Sequence, residues 1–581
     1  MTLISSLEAV DHLQRTAVYL ALIPFAYLSF KLIQRIHASL LGPLRHVPGP
    51  WLSRYTKLWE VAAVWRGDFE KQNIDLHKRH GKIVRLAPNK YSIDDPEAIR
   101  IIYGHGTKFV KTDFYSTFRA PEVTNLFAEL DVKEHSGQRR RIASLYSMTN
   151  LLSYEGFIDK CTAILNDKFA QFSQKGKKVS IVDFLQFYAF DVIGAITAGN
   201  PFGLMSAEKD FDSIIHAIHQ SLVYSGLVGL VPEIHPWLLR VTKLLGLENP
   251  TAPVQNYIYN QINLRRQGVT PDDKNDFLTK LLKMEDAGPN TSFDTVNSIS
   301  NNIGAGSDTT AITLSGCMYY LLRNPTCFAK LRNEIDDAVA TGKAADPITY
   351  SQAQDMPYLQ ATIKETLRCH AAVGYPLLRI VPAGGAVIAG TFFPDGVEVG
   401  VNPWVAHYNE DVWGKDAAQF RPERWLEASE AQLKRMEGYY LPFPIFSSAT
   451  VRGLALASTS VCWRSPRSSR RWSGSSISSS PRTTRTAGPL RRGGSASRST
   501  SATSSRGRSS AASDLSHLCI SRYFCGAHPT VHFPAVFRFQ FRSVNTSDCL
   551  YKTLAILKRS EEIEAVGTHP RMTEPGMARL L

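Results

Sequence analysis

The sequence has few cysteines, and none of them are closely paired. Eight cysteines are spread thinly over 581 residues, with no CxxC pair and no zinc-type spacing. This pattern excludes a small disulfide-stapled scaffold and indicates a reduced, cytosol-facing protein. With 44% hydrophobic and 20% charged residues, the chain can bury a large core and is not a disordered regulator. We therefore expect one or two globular domains.

Acidic residues are missing from a long stretch near the C-terminus. Residues 438–513 contain no Asp or Glu and twelve arginines, which supply most of the net charge of +14. In residues 464–510, 28 of the 47 residues are Ser or Arg, so this segment buries too little apolar surface to order itself. The basic charge therefore does not predict a folded surface for nucleic acid.

The longest uncharged run near the N-terminus is short for a membrane span. Residues 16–30 (TAVYLALIPFAYLSF) fall below the length of about 17–25 residues that a bilayer-spanning helix needs. Extension to residue 33, with Lys31 and Arg35 snorkelling to the interface, makes a marginal anchor. The positive charges after the run place the rest of the chain on the cytosolic side. We predict a membrane anchor, and the alternative is a buried or interfacial helix.

The central part of the chain is predicted to be mainly α-helical with a few short strands. Helical periodicity covers residues 183–198, 295–323, 327–339 and 357–370. Strand-like composition occurs at residues 83–86 and 91–93, and residues 391–399 are predicted to form a hairpin with Pro-Asp-Gly at its tip. The apolar residues 211–247 suit a pocket roof, a second membrane contact or core helices.

Candidate chemistry lies in the middle of the longest helical pattern, in the motif GAGSDTT. Gly304 and Gly306 each weaken a helix interior by about 1 kcal/mol relative to Ala. A local widening there would let a small molecule approach the backbone and would direct Thr309 and Asp308 into the gap. An acid beside a hydroxyl can deliver protons. The alternative is a packing site in which the threonine hydroxyl bonds back to its own helix.

Two further patterns combine charged side chains on one helix face. Glu365 and Arg368 are three residues apart and form an ion pair, and the downstream motif FRPERW supplies Arg424 as a third member. Such a buried network is costly unless it is fully paired. His135 and Arg139 are four residues apart on one helix and could clamp a bound anion. The alternative for these two residues is a solvated basic helix end.

Taken in order, the motifs VPGPW, HSGQRRR, GAGSDTT, ETLR, LLRIVP and FRPERW resemble a microsomal cytochrome P450 of filamentous fungi. The resemblance covers about residues 45–446. It implies a mainly α fold with small β-sheets, a haem cofactor, and monooxygenation of a small lipophilic metabolite in secondary metabolism. It also implies dioxygen and an NADPH-dependent reductase as partners, no nucleic acid, and the endoplasmic reticulum membrane as location, with the catalytic part in the cytosol.

The resemblance also assigns roles to individual residues. The residues expected to serve dioxygen activation and proton delivery are Asp308 and Thr309. The residues expected to lie against the cofactor in the same helix are Ala305 and Gly306. The residues expected to hold the haem propionates are His135, Arg139 and Arg379, with His135 where the family often has Trp. The expected structural triad behind the haem is Glu365, Arg368 and Arg424.

The motif that supplies the family's metal ligand is missing. The family motif Phe-x-x-Gly-x-Arg-x-Cys-x-Gly provides a cysteine thiolate that ligates the haem iron. Residues 446–455 are FSSATVRGLA, and no cysteine stands at that spacing. Cys462 lies further along without the surrounding glycines that let a backbone approach a sulfur. We therefore assign no metal-ligating residue in this chain.

The missing motif can be recovered from the same codons in another reading frame. Val451 must be encoded by GTn, Gly453 by GGn, and Ala455 by GCn, while Arg452 can be CGn and Leu454 can be CTn. The frame that starts on the third base of each codon permits Gly-Thr-Arg-Thr-Cys-Ala-Gly. The recovered cysteine codon straddles residues 454 and 455. We predict that everything from about residue 449 onward is translated in the wrong frame, and the alternative is a decayed pseudoenzyme.

Three hypotheses cover the function of this chain. The first is a membrane-anchored haem-thiolate monooxygenase. The second is a catalytically dead or wrongly translated product that lacks the ligand cysteine. The third, a Ser/Arg-tailed binding protein, ranks last because a functional tail should leave the upstream enzyme complete. The predicted organisation is an anchor at 1–41, an incomplete P450 domain at 42–448, a Ser/Arg-rich segment at 449–513 and a tail at 514–581.

Overall fold

The computed structural model describes residues 26, 29–31, 33–37, 40–119, 125–247, 251–270, 275–288, 291–345 and 347–442. The predicted anchor at residues 16–30 lies outside the described residues apart from Ala26, Ser29 and Phe30. The predictions for residues 449–513 and 514–581, including the shifted frame, also concern residues outside those described. Both remain predictions.

The described chain is mainly helical, as predicted. The helices before residue 270 are α1 (Leu58–Arg66), α2 (Phe69–His80), α3 (Pro96–Tyr103), α4 (Val132–Ile142), α5 (Met148–Leu152), α6 (Glu155–Gln174), α7 (Ile181–Ala198), α8 (Leu204–Ala207), α9 (Ile214–Val228), α10 (His235–Leu244) and α11 (Ala252–Arg266). The later helices are α12 (Phe277–Asp286), α13 (Ser292–Arg323), α14 (Pro325–Ala340), α15 (Tyr350–Gln354), α16 (Pro357–Cys369), α17 (Pro403–His407), α18 (Glu410–Trp413), α19 (Arg424–Glu427) and α20 (Glu430–Gly438). The four long predicted helices correspond to α7, α13, α14 and α16.

Two small sheets accompany the helices. Their strands are β1 (Ile83–Ala87), β2 (Lys90–Ile93), β3 (Val110–Lys111), β4 (Arg379–Ile380), β5 (Ala386–Ile388), β6 (Thr391–Phe393) and β7 (Glu398–Gly400). One sheet has the order β1-β2-β7-β4-β3, in which β2 and β7 are parallel and the other pairs antiparallel. The predicted strands around the Pro88–Asn89 turn are confirmed as β1 and β2.

The predicted hairpin over residues 391–399 is wrong. β6 pairs with the preceding strand β5, and β7 belongs to the other sheet, between β2 and β4. The turn between β5 and β6 is the residue pair Ala389-Gly390, which has φ values of +48° and +76°. Two consecutive positive φ angles match the twist of a two-residue hairpin turn. The Pro-Asp-Gly segment instead carries the chain from one sheet to the other.

The core is built around the long helix α13 and the apolar helix α7. A capping box at Thr291 and Asp294 starts α13, and Ser180 caps the start of α7. Within the described residues, α7 is the one helix that is long and apolar enough to cross a membrane, and 72% of its apolar window is buried. Burial on nearly all sides identifies it as a core helix.

The apolar residues 211–247 divide into two helices with different surroundings. α9 buries Ile214 and Ile218 in the core, whereas α10 leaves Trp237 and Leu244 62% and 85% exposed. The chain bends by 113° between them. The core alternative therefore applies to α9, and the exposed apolar surface lies on α10.

Candidate active site

The buried carboxylate of Glu365 is the centre of a fully paired network. Its oxygens accept hydrogen bonds from Nε and Nη2 of Arg368 at 2.9 and 2.8 Å and from Nε of Arg424 at 2.9 Å. The indole of Trp425 and the backbone amide of Arg421 donate to the same oxygens at 3.0 and 2.9 Å. The structure therefore brings together the three residues that the sequence predicts as a triad.

The charges in this network balance although it is removed from water. Arg368 also donates to the carbonyl oxygen of His407 at 2.8 Å, and Arg424 also donates to the carboxylate of Asp416 at 3.2 Å. Burial raises the pKa of Glu365, but the charges and hydrogen bonds of the two arginines outweigh burial and lower it below its ordinary value. A buried ion network is tolerated only when every member is paired, as these are.

Thr309 lies in the middle of α13, which the nearby glycines do not interrupt. Its hydroxyl donates to the carbonyl oxygen of Ala305 at 2.7 Å, and Ser307 and Thr313 bond back to the helix in the same way. This is the arrangement of the packing alternative, and such bonds bend a helix slightly. Apart from the adjacent residues and the backbone of α13 itself, no atom of the described residues lies within 4 Å of the place where a Cβ at Gly304 would stand. Space is therefore open beside this part of the helix.

Asp308 points toward α7 and α9. Its Oδ1 accepts a hydrogen bond from Nε2 of Gln186 at 2.9 Å, and Nε2 of His219 lies 3.4 Å from the same oxygen. Its Oδ2 is buried and has no hydrogen-bond partner among the described residues. Buried polar atoms in folded proteins are normally paired, so this carboxylate oxygen is an exception. Sequence reasoning missed Gln186 and His219 because neither belongs to a motif.

Four basic side chains form one electrostatically coupled cluster. His135 and Arg139 come from α4, Arg379 from β4 and Lys111 from β3, where it pairs with Arg379 across the sheet. Burial lowers the pKa of His135, and the charges of the other three lower it further, against the opposing effect of Glu129. The structure therefore brings the three predicted anion-binding residues together. We refer to the four side chains as the basic cluster.

Lys111 is the member of the basic cluster that sequence reasoning missed. Its ammonium group donates to the carbonyl oxygens of Leu126, Phe127 and Glu129 at 2.9, 2.8 and 3.1 Å, which uses all three of its protons. Burial and the charge of Arg379 lower its pKa to about 8. Lys111 therefore fixes the segment that leads into α4. A single lysine on a short strand carries no sequence signal for this role.

Aromatic side chains lie next to the basic cluster. Phe114 packs against Tyr115 and Phe118 with ring centroids 5.5 Å apart in both pairs, and Tyr115 and Phe118 each lie 5.2 Å from Phe127. Arg379 donates to the hydroxyl of Tyr115 at 3.0 Å. This aromatic group joins the 3₁₀ segment Asp113–Phe118 to the basic cluster and provides an apolar surface next to it.

The model of the Cytochrome P450 family matches residues 48–444, more than half of the chain. The chain belongs to the cytochrome P450 family. This match confirms the resemblance that the motifs indicate, and the mainly α fold with small sheets agrees with it. The cofactor of a cytochrome P450 is haem, whose iron supplies the dioxygen chemistry when it is bound.

Several fungal cytochrome P450 proteins are similar to this chain. Two proteins named pisatin demethylase from Fusarium vanettenii are 43% and 42% identical over 71% of this chain and over 81% and 82% of their own length. A cytochrome P450 monooxygenase from Aspergillus terreus is 32% identical over 69% of this chain and 84% of its own length. These relatives support a haem monooxygenase.

The described residues of this cytochrome P450 fit the carboxylates of haem. The basic cluster offers guanidinium and imidazole donors, which suit a carboxylate because the hydrogen bonds are assisted by charge. The residues that would hold the two propionates are His135, Arg139 and Arg379. Lys111 would support them through the segment that it fixes.

The described cysteines do not fit the iron. Cys161, Cys317, Cys327 and Cys369 are all buried, and burial raises the pKa of each thiol, to about 12 for Cys161 and Cys369 and to about 11 for Cys317. A thiol held neutral in a core does not supply a thiolate ligand. No cluster of metal-binding side chains occurs within the described ranges either. A thiolate would have to come from the chain after residue 442.

Proposed function

We propose that the gene of this chain encodes a haem-thiolate monooxygenase that oxidises a small lipophilic metabolite in fungal secondary metabolism. Dioxygen is the second substrate, and an NADPH-dependent reductase supplies the electrons. The observation that carries the proposal is the turn of α13 at Asp308 and Thr309, where a buried carboxylate oxygen has no hydrogen-bond partner in the part of the chain that the structure describes. The aromatic group around Phe114 supports a lipophilic substrate.

The reaction that we favour is oxidative demethylation. Two relatives of more than 40% identity are named demethylases, which supports the same reaction class here. In such a reaction a methyl C–H bond next to a heteroatom is hydroxylated, and the carbon then leaves as formaldehyde. Each turnover consumes one dioxygen, two electrons and two protons, and it releases one water.

In this proposal the residues of the chain have separate tasks. Asp308 and Thr309 move protons toward the site of dioxygen chemistry, and Ala305 and Gly306 let the cofactor approach the helix. His135, Arg139 and Arg379 bind the propionates. Glu365, Arg368 and Arg424 keep α16 and the segment before α19 in place, and therefore act on the fold.

The second candidate function is a catalytically inactive product. It is favoured by the absence of a cysteine at the family spacing after Phe446 and by the burial of all four described cysteines. The family match ends at residue 444, immediately before the segment that we assign to a shifted frame. We therefore propose that the active enzyme is the product of the other frame, and that the present chain is its inactive counterpart.

Sequencing the transcript across codons 440–470 and expressing both versions tests this proposal. We expect the frame-corrected chain to give the Soret band typical of a thiolate ligand in its reduced carbon-monoxide complex. The present polypeptide should give no such band. The band from the present polypeptide would overturn the proposal and make Cys462 or another cysteine the ligand. A transcript that matches the present sequence would make the pseudoenzyme the better hypothesis.

We also propose that the protein sits on the endoplasmic reticulum membrane with its catalytic part in the cytosol. Two exposed apolar segments support this location in addition to the run at residues 16–30. In the first segment, Trp51 and Leu58 are 70% and 69% exposed. In the second segment, which follows Glu233, Trp237 is 62% exposed. Lys57 and Glu233 form an ion pair at 2.8 Å, which brings the two apolar segments close together. Aromatic side chains of this kind suit a membrane interface.

Deleting residues 1–41 tests the anchor. We expect the truncated protein to be released from washed membranes that retain the full chain. If it still sediments quantitatively, residues 1–41 are not the anchor. Replacing Trp237 by Ser in the truncated protein would then identify α10 as the site of membrane contact if sedimentation is lost.

A further inference from the structure

Helix α9 is tied to the rest of the protein at both ends. At its start, the carboxylate of Asp210 accepts hydrogen bonds from the backbone amides of Ile215 and His216 at 3.4 and 3.0 Å. Near its end, Ser225 and Thr117 exchange hydrogen bonds, each hydroxyl donating to the other's carbonyl oxygen at 2.7 and 3.0 Å. These contacts reach only the ends of the helix.

The middle of α9 is attached through a polar triangle. Nε2 of Gln186 lies 2.9 Å from Oδ1 of Asp308 and 2.9 Å from Nε2 of His219, which is 3.4 Å from the same carboxylate oxygen. The three side chains come from α7, α9 and α13. When Nε2 of His219 is an acceptor, the Gln186 amide can donate to both partners, and when Nε2 carries a proton it donates to the carboxylate in place of the Gln186 contact. Either arrangement links α9 to Asp308, through Gln186 or directly.

We propose that Gln186 and His219 are positioning residues that hold the carboxylate of Asp308 and thereby couple the position of α9 to the orientation of this acid. The inference rests on the proposed role of Asp308 in proton delivery. Among the described residues, one carboxylate oxygen has two polar contacts and the other has no hydrogen-bond partner, so the contacts hold the carboxylate without satisfying it. A substrate that displaces α9 would consequently remove the His219 contact and leave Asp308 held by Gln186 alone.

The two positioning residues differ in how far they are exposed to solvent, which indicates different tasks. The side chain of Asp308 is 4% exposed, whereas that of His219 is 19% exposed. Gln186 is buried in α7, which belongs to the core. Gln186 therefore supplies the fixed contact, and His219 supplies the contact that moves with α9 and reaches solvent.

Two residues in the segment before α9 have an uncommon backbone conformation. Glu208 and Ser213 both have φ of +54°, which is rare for residues other than glycine. Residues held in such conformations persist only where surrounding contacts maintain them. Because His219 links the middle of α9 to Gln186 and Asp308, its loss should loosen α9 and leave the core helices α7 and α16 unchanged.

Hydrogen–deuterium exchange of the full chain tests the inference without haem. Replacing His219 by Leu introduces an apolar side chain of similar size and removes the polar contact. We expect at least fivefold faster exchange in peptides from residues 214–228, with no change in α7 or α16. Replacing His219 by Gln should restore slow exchange, because the amide can donate and accept. His216→Leu, at an exposed position of the same helix, is the matched control and should change exchange less than twofold.

A double substitution identifies the partner. In an Asp308→Ala background, His219→Leu should cause less acceleration than in the native background, because only its contact with Gln186 is left to lose. Equal acceleration in both backgrounds, or failure of His219→Gln to restore slow exchange, would overturn the inference. Should His219→Leu not fold, Gln186→Met removes the other donor to the same oxygen and is judged by the same criteria. Since no haem is needed, these results are independent of the carbon-monoxide spectrum that tests the proposed function.

Discussion

Glu365 and Asp308 are both acids buried in the helical core, yet their surroundings differ. Glu365 receives hydrogen bonds on both oxygens from two arginines, an indole and a backbone amide. Asp308 receives a hydrogen bond from one amide, has a histidine nearby, and keeps one oxygen unpaired among the described residues. One buried carboxylate is therefore saturated with donors, and the other has an oxygen left open.

A third buried acid, Glu70 in α2, completes the comparison. Its side chain is fully buried, and neither carboxylate oxygen has a hydrogen-bond partner among the described residues. Burial raises its pKa to about 7, whereas the arginines lower that of Glu365. The three acids therefore range from fully paired to unpaired, and substitutions can test what each contributes.

The largest effect is expected for Glu365→Ala. The substitution leaves two buried guanidinium groups without their shared carboxylate, which should cost about 3–5 kcal/mol. We expect no folded protein in soluble expression or in thermal unfolding. Glu427→Ala is the control, because Glu427 pairs with Arg421 at the surface and its side chain is 63% exposed. A well-folded Glu365→Ala protein would contradict the structural role.

The second effect concerns the pH dependence of stability. The folded state favours the neutral form of Glu70, because the folded pKa is about 7 and the ordinary value is 4.5. Stability should therefore fall as the pH rises from about 4.5 to 7, by about 3 kcal/mol in total. In the Glu70→Gln protein this fall should be absent. Denaturant unfolding at several pH values measures both proteins, and equal pH profiles would show that Glu70 is not the cause.

A smaller effect is expected for Asp308→Ala. The substitution removes a buried oxygen that is unpaired among the described residues together with the contacts to Gln186 and His219, so the free energy of unfolding should change by about 1 kcal/mol. The contrast with Glu365→Ala measures how differently the fold depends on the two acids. A loss comparable to that of Glu365→Ala would assign Asp308 to the fold instead of to proton delivery.

The smallest structural effect is expected for Thr309→Ala in the frame-corrected protein. The hydroxyl bonds only to its own helix in the structure, so its removal should leave folding and haem content close to unchanged. Less product should form per dioxygen consumed, because proton delivery is impaired. Measuring product against oxygen consumption detects this change. Loss of haem or of soluble protein would instead favour the packing alternative.

Part of the candidate site could be predicted because its members are close in sequence. Glu365 and Arg368 are three residues apart on one helix, so helix geometry alone puts them on one face. The long helices could be predicted from their hydrophobic periodicity, which is also a local property of the sequence. The pairing of β5 with β6 could not, because strand-like composition does not state which strand is the neighbour.

The sequence by itself determined the family, the main helices and the absence of a cysteine at the ligand spacing. Only the tertiary structure decided the partners of Asp308, the place of Lys111 in the basic cluster and the sheet to which β7 belongs. The physical reason is that these contacts join residues far apart along the chain. Local propensity and periodicity act over a few turns of helix or strand, whereas long-range pairs form only where packing brings them together.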